Sequence, residues 1–189
     1  MKNSSLVATS GILLVLFLLV SCGGKQSQPQ PEQAKVPVKK LAQKYDTLLF
    51  SPFTITPELA KDYPQAANEL QHSAMTALQM NNGFKKVETV GKNTPAGKNT
   101  LLIKAKITDM RIVSGAARFW GGAMAGSSGV EMDLQLIDGA SNKVVRDEKL
   151  SSWNNPFGAA WTGGTTDNSL LADMGNITAQ YIIDAMPAK

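Results

Sequence analysis

The sequence predicts an α+β fold, a two-layer sandwich in which two helices cover one face of a mostly antiparallel sheet. Two observations predict it. A run of strand-like segments lies between an early and a late helix, in the order β-α-β-β-β-β-α, and such segregation is typical of α+β domains. One segment, Val130–Ile137, alternates apolar and polar residues from Val130 to Leu136, which indicates a sheet with one buried face and one solvated face.

The two helices are predicted from apolar stripes at helical spacing. Pro64–Asn81 has its apolar residues along one side, and a glycine follows soon afterwards as a stop signal. Asn168–Met186 has a broader stripe, with Asp167 as a candidate N-cap. The first helix lies between two short predicted strands, Thr47–Phe53 and Phe84–Val90.

Three longer strands follow one another in the second half of the chain. Thr100–Val113 alternates at first and then shifts its phase, which predicts a β-bulge near Thr108–Asp109. Val130–Ile137 is joined to Lys143–Ser152 by the tight turn Asp138–Asn142. We expect these three strands to form an antiparallel meander.

The single cysteine, Cys22, ends an apolar run near the N-terminus. The run Gly11–Val20 follows a charged start and is about half as long as a membrane-spanning helix requires, so it resembles the apolar region of a secretory signal. Leu19 to Cys22, followed by Gly23, resembles the bacterial lipobox. That resemblance implies signal cleavage between Ser21 and Cys22 and lipidation of the Cys22 sulfur, with palmitate-like acyl chains as the anchor.

The anchor sets the predicted organisation of the chain. Residues 1–21 are a lipoprotein signal peptide, residues 22–44 are the lipidated cysteine and a disordered tether rich in Gln, Pro and Lys, and residues 45–189 are a single α+β periplasmic domain. Because no aspartate follows Cys22, the resemblance implies a lipid-anchored protein of the outer membrane that faces the periplasm, provided that the host has two membranes. The lysines of the tether are either solvated or weakly attracted to anionic head groups.

Aromatic residues concentrate in two glycine-rich connections, Ser114–Gly129 and Trp153–Thr166. In a meander these two connections lie at the same edge of the sheet, so their aromatic residues are expected to converge. We predict an interaction tip that contacts a partner or a membrane, made of Arg118, Phe119, Trp120, Trp153, Phe157 and Trp161. The alternative is that these aromatics only cap the end of the core while the glycines permit close backbone approach.

An enzymatic function finds little support in the sequence. His72 is the only histidine and lies on a predicted helix, where we expect it to face solvent. Glu131 and Asp133 fall on the polar face of an alternating strand and are expected to be solvated. With one cysteine and one histidine there is no zinc-binding pattern. We therefore predict no enzyme activity, no catalytic residue, no metal and no cofactor, and the mild net charge of +4 gives no nucleic-acid footprint.

The segment Ser114–Gly122, the small residues through Gly126 and the strand-turn-strand VEMDLQLIDGASNKVV resemble an uncharacterised, domain-of-unknown-function family of bacterial lipoproteins. The resemblance covers roughly residues 45–186. The family is similar in layout to the periplasmic domain of the curli-secretion-channel lipoprotein and to the amino-terminal domain of the Tol-system periplasmic protein. It implies an envelope role without known catalysis.

Two functions follow from these observations. The first is a membrane-anchored envelope lipoprotein that acts as a non-enzymatic interaction or assembly module with an envelope protein as its partner. The second is a subunit of an oligomeric outer-membrane pore or secretion channel. Ring-shaped oligomers in detergent would favour the second.

Overall fold

The structure is a computed structural model that describes residues 38–91, 97–153 and 165–187. The strands in these ranges are β1 (Thr47–Phe50), β2 (Thr54–Ile55), β3 (Lys86–Thr89), β4 (Thr100–Arg111), β5 (Gly129–Asp138) and β6 (Val144–Trp153). The helices are α1 (Pro57–Asp62), α2 (Ala66–Met80), α3 (Gly115–Gly121), α4 (Thr165–Asn168) and α5 (Leu170–Ala185), with a 3-10 turn at Gly122–Ala125.

The strands form one mixed sheet in the order β3-β1-β4-β5-β6, with β2 paired to β4 beyond the end of β1. The predicted meander is confirmed, because β4, β5 and β6 pair antiparallel. The sheet is mostly antiparallel, as predicted, but it is mixed, because β1 lies parallel to both β3 and β4 and β2 lies parallel to β4. The helical crossover from β1 to β3 requires that parallel pairing. The apolar pattern of β1 does not predict parallel pairing, because a run such as TLLF is compatible with a central strand of either orientation.

The core lies between one face of the sheet and the two long helices. β5 contributes Val130, Met132, Leu134 and Leu136, all fully buried, as the alternation predicts. Helices α2 and α5 contribute the opposite layer, with Leu70, Leu78, Leu170, Met174 and Ile182 in the same apolar cluster. The predicted bulge in β4 is confirmed, since the register with β5 shifts between Ile107 and Asp109.

Helices α2 and α5 cross at Gly175. A Cβ atom at this position would lie 2.5 Å from the Ser73 side chain and 2.9 Å from the backbone nitrogen of Ala74. The Ser73 hydroxyl also donates to the carbonyl of Ala172 at 2.9 Å. Glycine inside a helix costs about 1 kcal/mol relative to alanine, so close approach of the two helices explains its presence.

Gly175→Val is expected to lower the free energy of unfolding by about 1–3 kcal/mol, because the added side chain forces the two helices apart. Urea denaturation measures the change. Asn176→Val is the matched control, since residue 176 is adjacent on the same helix but exposed. Equal stability of the two variants would contradict the close crossing.

Residues 38–44, which the sequence assigns to the tether, pack against the domain. Leu41 is buried, and its amide donates to the carbonyl of Ala185 at 2.7 Å. The Arg146 guanidinium donates to the carbonyls of Lys39 and Lys40 at 2.9 and 2.6 Å. The domain therefore begins by Val38 and not at Tyr45, because one buried leucine and a few backbone bonds fix a segment whose composition alone resembles a linker.

Asp138 holds this segment to the β5–β6 turn. Its carboxylate accepts hydrogen bonds from the Ser141 amide and hydroxyl, both at 2.6 Å, and from Gln43 and Tyr45 at 2.6 and 3.0 Å. The Ser141 hydrogen bonds, with those of Tyr45 and of the backbone, lower the pKa of Asp138. Burial, together with the neighbouring Asp138 carboxylate, raises the pKa of Tyr45.

Asp138 is expected to make stability depend on pH at the acidic end. Because its folded pKa is lowered, its contribution is complete above about pH 4, the ordinary value for an aspartate, and is lost as the pH falls through the folded pKa. Asp138→Asn should therefore lower the free energy of unfolding at pH 7 and make little difference in strong acid. A difference between the two proteins that does not change with pH would contradict this account.

Candidate interaction surface

The first glycine-rich connection, expected to be a loop, contains the seven-residue helix α3. Its N-cap is Ser114, whose hydroxyl accepts a hydrogen bond from the Ala117 amide at 3.2 Å. The helix ends at Gly122, where the backbone has φ 50°, a conformation that favours glycine. The G-x-x-x-G at Gly122–Gly126 forms a 3-10 turn, so it does not have the long helix that a helix-dimerisation motif requires.

A buried ion pair fixes α3 to the C-terminal part of the domain. The Arg118 Nε and one terminal nitrogen donate to the two carboxylate oxygens of Asp167 at 3.0 and 3.1 Å. Both side chains are only 1% exposed. This two-point geometry is the strong form of an arginine–carboxylate contact, and it joins the connection after β4 to helix α4.

Two arginines hold the turn that follows α3. Arg118 also donates to the Gly126 carbonyl, and Arg111 donates to the Ala125 carbonyl at 3.0 Å. At Gly126 φ is 92°, and a Cβ atom there would lie 3.0 Å from the Arg111 guanidinium. The connection is therefore fixed by side chains from β4 and from α3 itself.

Helix α3 and the turn also present large apolar side chains to solvent. Phe119, Trp120 and Met124 are 79%, 85% and 96% exposed. The rings of Phe119 and Trp120 are in edge-to-face contact, with centroids 5.1 Å apart and planes at 89°. We call these three residues the aromatic patch. An exposed apolar patch is typical of an interaction site, because leaving it in water has a free-energy cost.

The predicted tip residues have different locations. Phe119 and Trp120 lie together on the surface. Arg118 is only 2% exposed, so it is not part of the exposed surface to which the prediction assigned it. Its pairing with Asp167 offsets the cost of burying its charge. Trp153 lies on the outer face of the sheet, over its register partner Gly129, and is 43% exposed. Phe157 and Trp161 lie outside the described residues.

The lipidation and cleavage residues, Cys22 and Ser21, also lie outside the described residues, so both remain predictions.

The two glycine-rich connections begin and end close together in the described part of the chain. The register places Arg111 beside Gly129 and Gly129 beside Trp153, so β4, β5 and β6 meet level at one edge of the sheet. The Arg118–Asp167 pair then links the first connection to the residues that follow the second.

The sequence did not predict the roles of two residues in this surface, Met124 and Asp167. Met124 is the most exposed member of the aromatic patch, and its small neighbours gave no indication of it. Asp167 was expected to be the N-cap of the last helix, but that helix has Ser169 as its N-cap, and Asp167 pairs with Arg118. An arginine–aspartate pair separated by 49 residues leaves no local signal.

The other polar residues that could serve catalysis are either exposed or bonded to their neighbours in the fold. His72 is exposed on α2, as expected. Glu131 accepts a salt bridge from Lys149 at 3.1 Å on the outer sheet face. Ser128 is buried, and its hydroxyl accepts from the Val113 amide at 2.9 Å. Among the residues that the structure describes, there is no cluster of three or more metal-binding side chains, and no helix is long and apolar enough to cross a membrane.

Residues 27–185 match a family model described as a domain of unknown function, DUF4410. The chain belongs to this family. The match spans most of the chain, and the predicted resemblance to an uncharacterised family is confirmed. No curated protein sequence gives a significant match.

Several solved structures are similar to the chain at low sequence identity. A point variant of PelC from Paraburkholderia phytofirmans, solved as a dodecamer, is 14% identical with a TM-score of 0.50, over 79% of this chain and 95% of that one. Protein XCC0632 from Xanthomonas campestris is 10% identical with a TM-score of 0.47, over 78% and 94%. TolB from Acinetobacter baumannii is 17% identical with a TM-score of 0.38, over 78% of this chain and 29% of that one.

Proposed function

We propose that the protein is a lipid-anchored envelope protein that binds another envelope protein through the aromatic patch and catalyses no reaction. The observation that carries the proposal is that three highly exposed apolar side chains lie on, or just after, the short helix whose Arg118 is buried in its pair with Asp167. A surface that only capped the core would bury its aromatic rings. Here the charged residue is buried and the rings face water.

The anchor is supported by the sequence around Cys22. A charged start, an apolar run too short to span a membrane and a lipobox-like Leu-Val-Ser-Cys together favour lipidation and retention at the outer membrane, facing the periplasm. Two or three acyl chains hold a protein firmly without any spanning helix.

Cys22→Ala is expected to abolish labelling of the protein by radioactive palmitate and to remove it from the outer-membrane fraction. Labelling and membrane fractionation of the wild-type and variant cells measure both effects. Ser21→Ala, which keeps a small residue before the cysteine, is the control and should be labelled normally. A wild-type protein without label would contradict the anchor.

A subunit of a ring-shaped pore or secretion channel is the alternative function. It is favoured by the similarity in fold to PelC, which was crystallised as a dodecamer. Light scattering of the detergent-solubilised protein distinguishes the two functions. A mass that is a multiple of this chain supports the ring, and a complex containing a second polypeptide supports the envelope partner. A monomer that binds nothing contradicts both.

A further inference from the structure

The domain has two chemically different ends. The register places Thr47 beside both Lys86 and Thr100, and Leu101 beside Asp138. The starts of β1, β3 and β4 and the end of β5 are therefore level. The N-terminal segment packs here too, through the Leu41–Ala185 backbone bond. We call this the tether end. The aromatic patch follows the far end of β4, a strand of 12 residues that spans about 40 Å.

The tether end is rich in cations. Exposed lysines flank the starts of the strands that begin there, and a half-buried arginine lies beside them: Lys39, Lys44, Lys85, Lys98, Lys143 and Arg146. Four acidic residues share this end. Asp46 pairs with Lys85 at 2.8 Å, Glu88 pairs with Lys86 at 3.0 Å, and Asp138 is buried in its own hydrogen bonds. Asp184 is half-buried, and its backbone carbonyl accepts a hydrogen bond from the exposed Lys40 at 2.6 Å. The excess of charge on this surface is positive.

The predicted lipid anchor joins the domain at this same end. Residues 23–37 connect Cys22 to Val38, and a chain of that length reaches about 20 Å on average if it behaves as the tether that its composition predicts. That average reach is shorter than the distance along β4. The aromatic patch could meet the anchoring membrane only if the tether ran nearly straight back along the domain, which has an entropic cost.

We infer that the tether end docks on anionic phospholipid head groups of the membrane that carries the anchor, so that the aromatic patch faces away from that membrane. The inference rests on the lipid anchor of the proposed function. Charge complementarity favours this occupant, because exposed lysines attract an anionic bilayer surface. Attraction acts within about 10 Å at moderate salt, and the tether keeps the lysines close to the surface.

Lysine acetylation of the purified mature protein tests the docking without any added label. Phosphatidylcholine vesicles are compared with vesicles that also contain phosphatidylglycerol, and mass spectrometry follows each lysine. On the anionic vesicles Lys44, Lys98 and Lys143 should react about fivefold more slowly, as expected for a cation held at an anionic surface. Salt at about 0.5 M should abolish the effect because it shortens the screening length.

Lys61, Lys104 and Lys106 are internal controls, since they are exposed on α1 and on the outer face of β4, away from the tether end. Their reactivity should stay unchanged. Equal protection of all lysines, no protection at all, or protection of Lys61 alone would overturn the inference. The last result would mean that the patch end faces the membrane.

Variants separate this inference from the proposed function. Lys44→Glu/Lys98→Glu/Lys143→Glu should remove the protection of Lys39 and Lys85, whereas Lys61→Glu/Lys104→Glu/Lys106→Glu should retain it. The first variant should still bind the protein partner in detergent, because its aromatic patch is intact. For the wild-type protein, a vesicle footprint without partner binding refutes the patch, and partner binding without a vesicle footprint refutes the docking.

Discussion

Arg118→Ala is expected to lower the free energy of unfolding by about 3–5 kcal/mol, because it leaves the buried Asp167 carboxylate without its cation. Removing the guanidinium also leaves the partly buried Gly126 carbonyl without that donor, which adds to the cost. Denaturant unfolding of the wild-type and variant proteins measures the loss.

The double variant Arg118→Met/Asp167→Leu separates charge from packing. Replacing both charged partners by apolar residues of similar volume removes the uncompensated charge, so most of the lost stability should return. Arg111→Ala is the matched control, because Arg111 also donates to the connection but is exposed, and it should cost about 1 kcal/mol or less. If Arg118→Ala were as mild as Arg111→Ala, the buried pair would not be what fixes α3.

Phe119→Ser/Trp120→Ser is expected to abolish partner binding while leaving the fold intact. Both side chains are mostly in water in the isolated domain, so stability should change by only about 0.5 kcal/mol. In a complex, aromatic residues at the centre of an interface each contribute about 2 kcal/mol or more, so for the pair the affinity should fall by about a thousandfold. Thermal unfolding and co-purification from solubilised membranes measure the two effects.

Met80→Ser is the control for this pair. Met80 is a large apolar residue that is 80% exposed, about as much as Phe119 and Trp120, and it lies at the C-terminal end of α2. It should leave both stability and binding unchanged. Loss of the fold in the Phe119/Trp120 variant would show that the rings support the core and would contradict an interaction role.

The sequence predicts the antiparallel half of the domain well because that half depends on local patterns. The alternation of Val130–Ile137 identifies β5 and its buried face, and the phase shift in β4 locates the bulge to the right residues. The parallel pairing of β1 is set by the crossover through α1 and α2, which is a property of the whole chain path. No pattern within Thr47–Phe50 distinguishes a parallel neighbour from an antiparallel one.

In the candidate site, too, local patterns were predictable and contacts between distant residues were not. The clustering of aromatic residues and glycines locates the connection between β4 and β5, and the meander correctly places its ends beside that of β6. The direction of each side chain depends on contacts far apart in sequence. Arg118 is buried in a pair with Asp167, 49 residues away in the sequence, whereas its neighbours Phe119 and Trp120 are exposed.

In-cell photo-crosslinking from the aromatic patch tests the central claim, that this surface binds an envelope protein. A benzoylphenylalanine is placed at residue 119, and in a parallel strain at residue 80. The account predicts one defined adduct with a second polypeptide from residue 119 and none from residue 80. Equal adducts from both positions, or none from residue 119, would contradict it, and an adduct between two copies of this chain would instead support the ring.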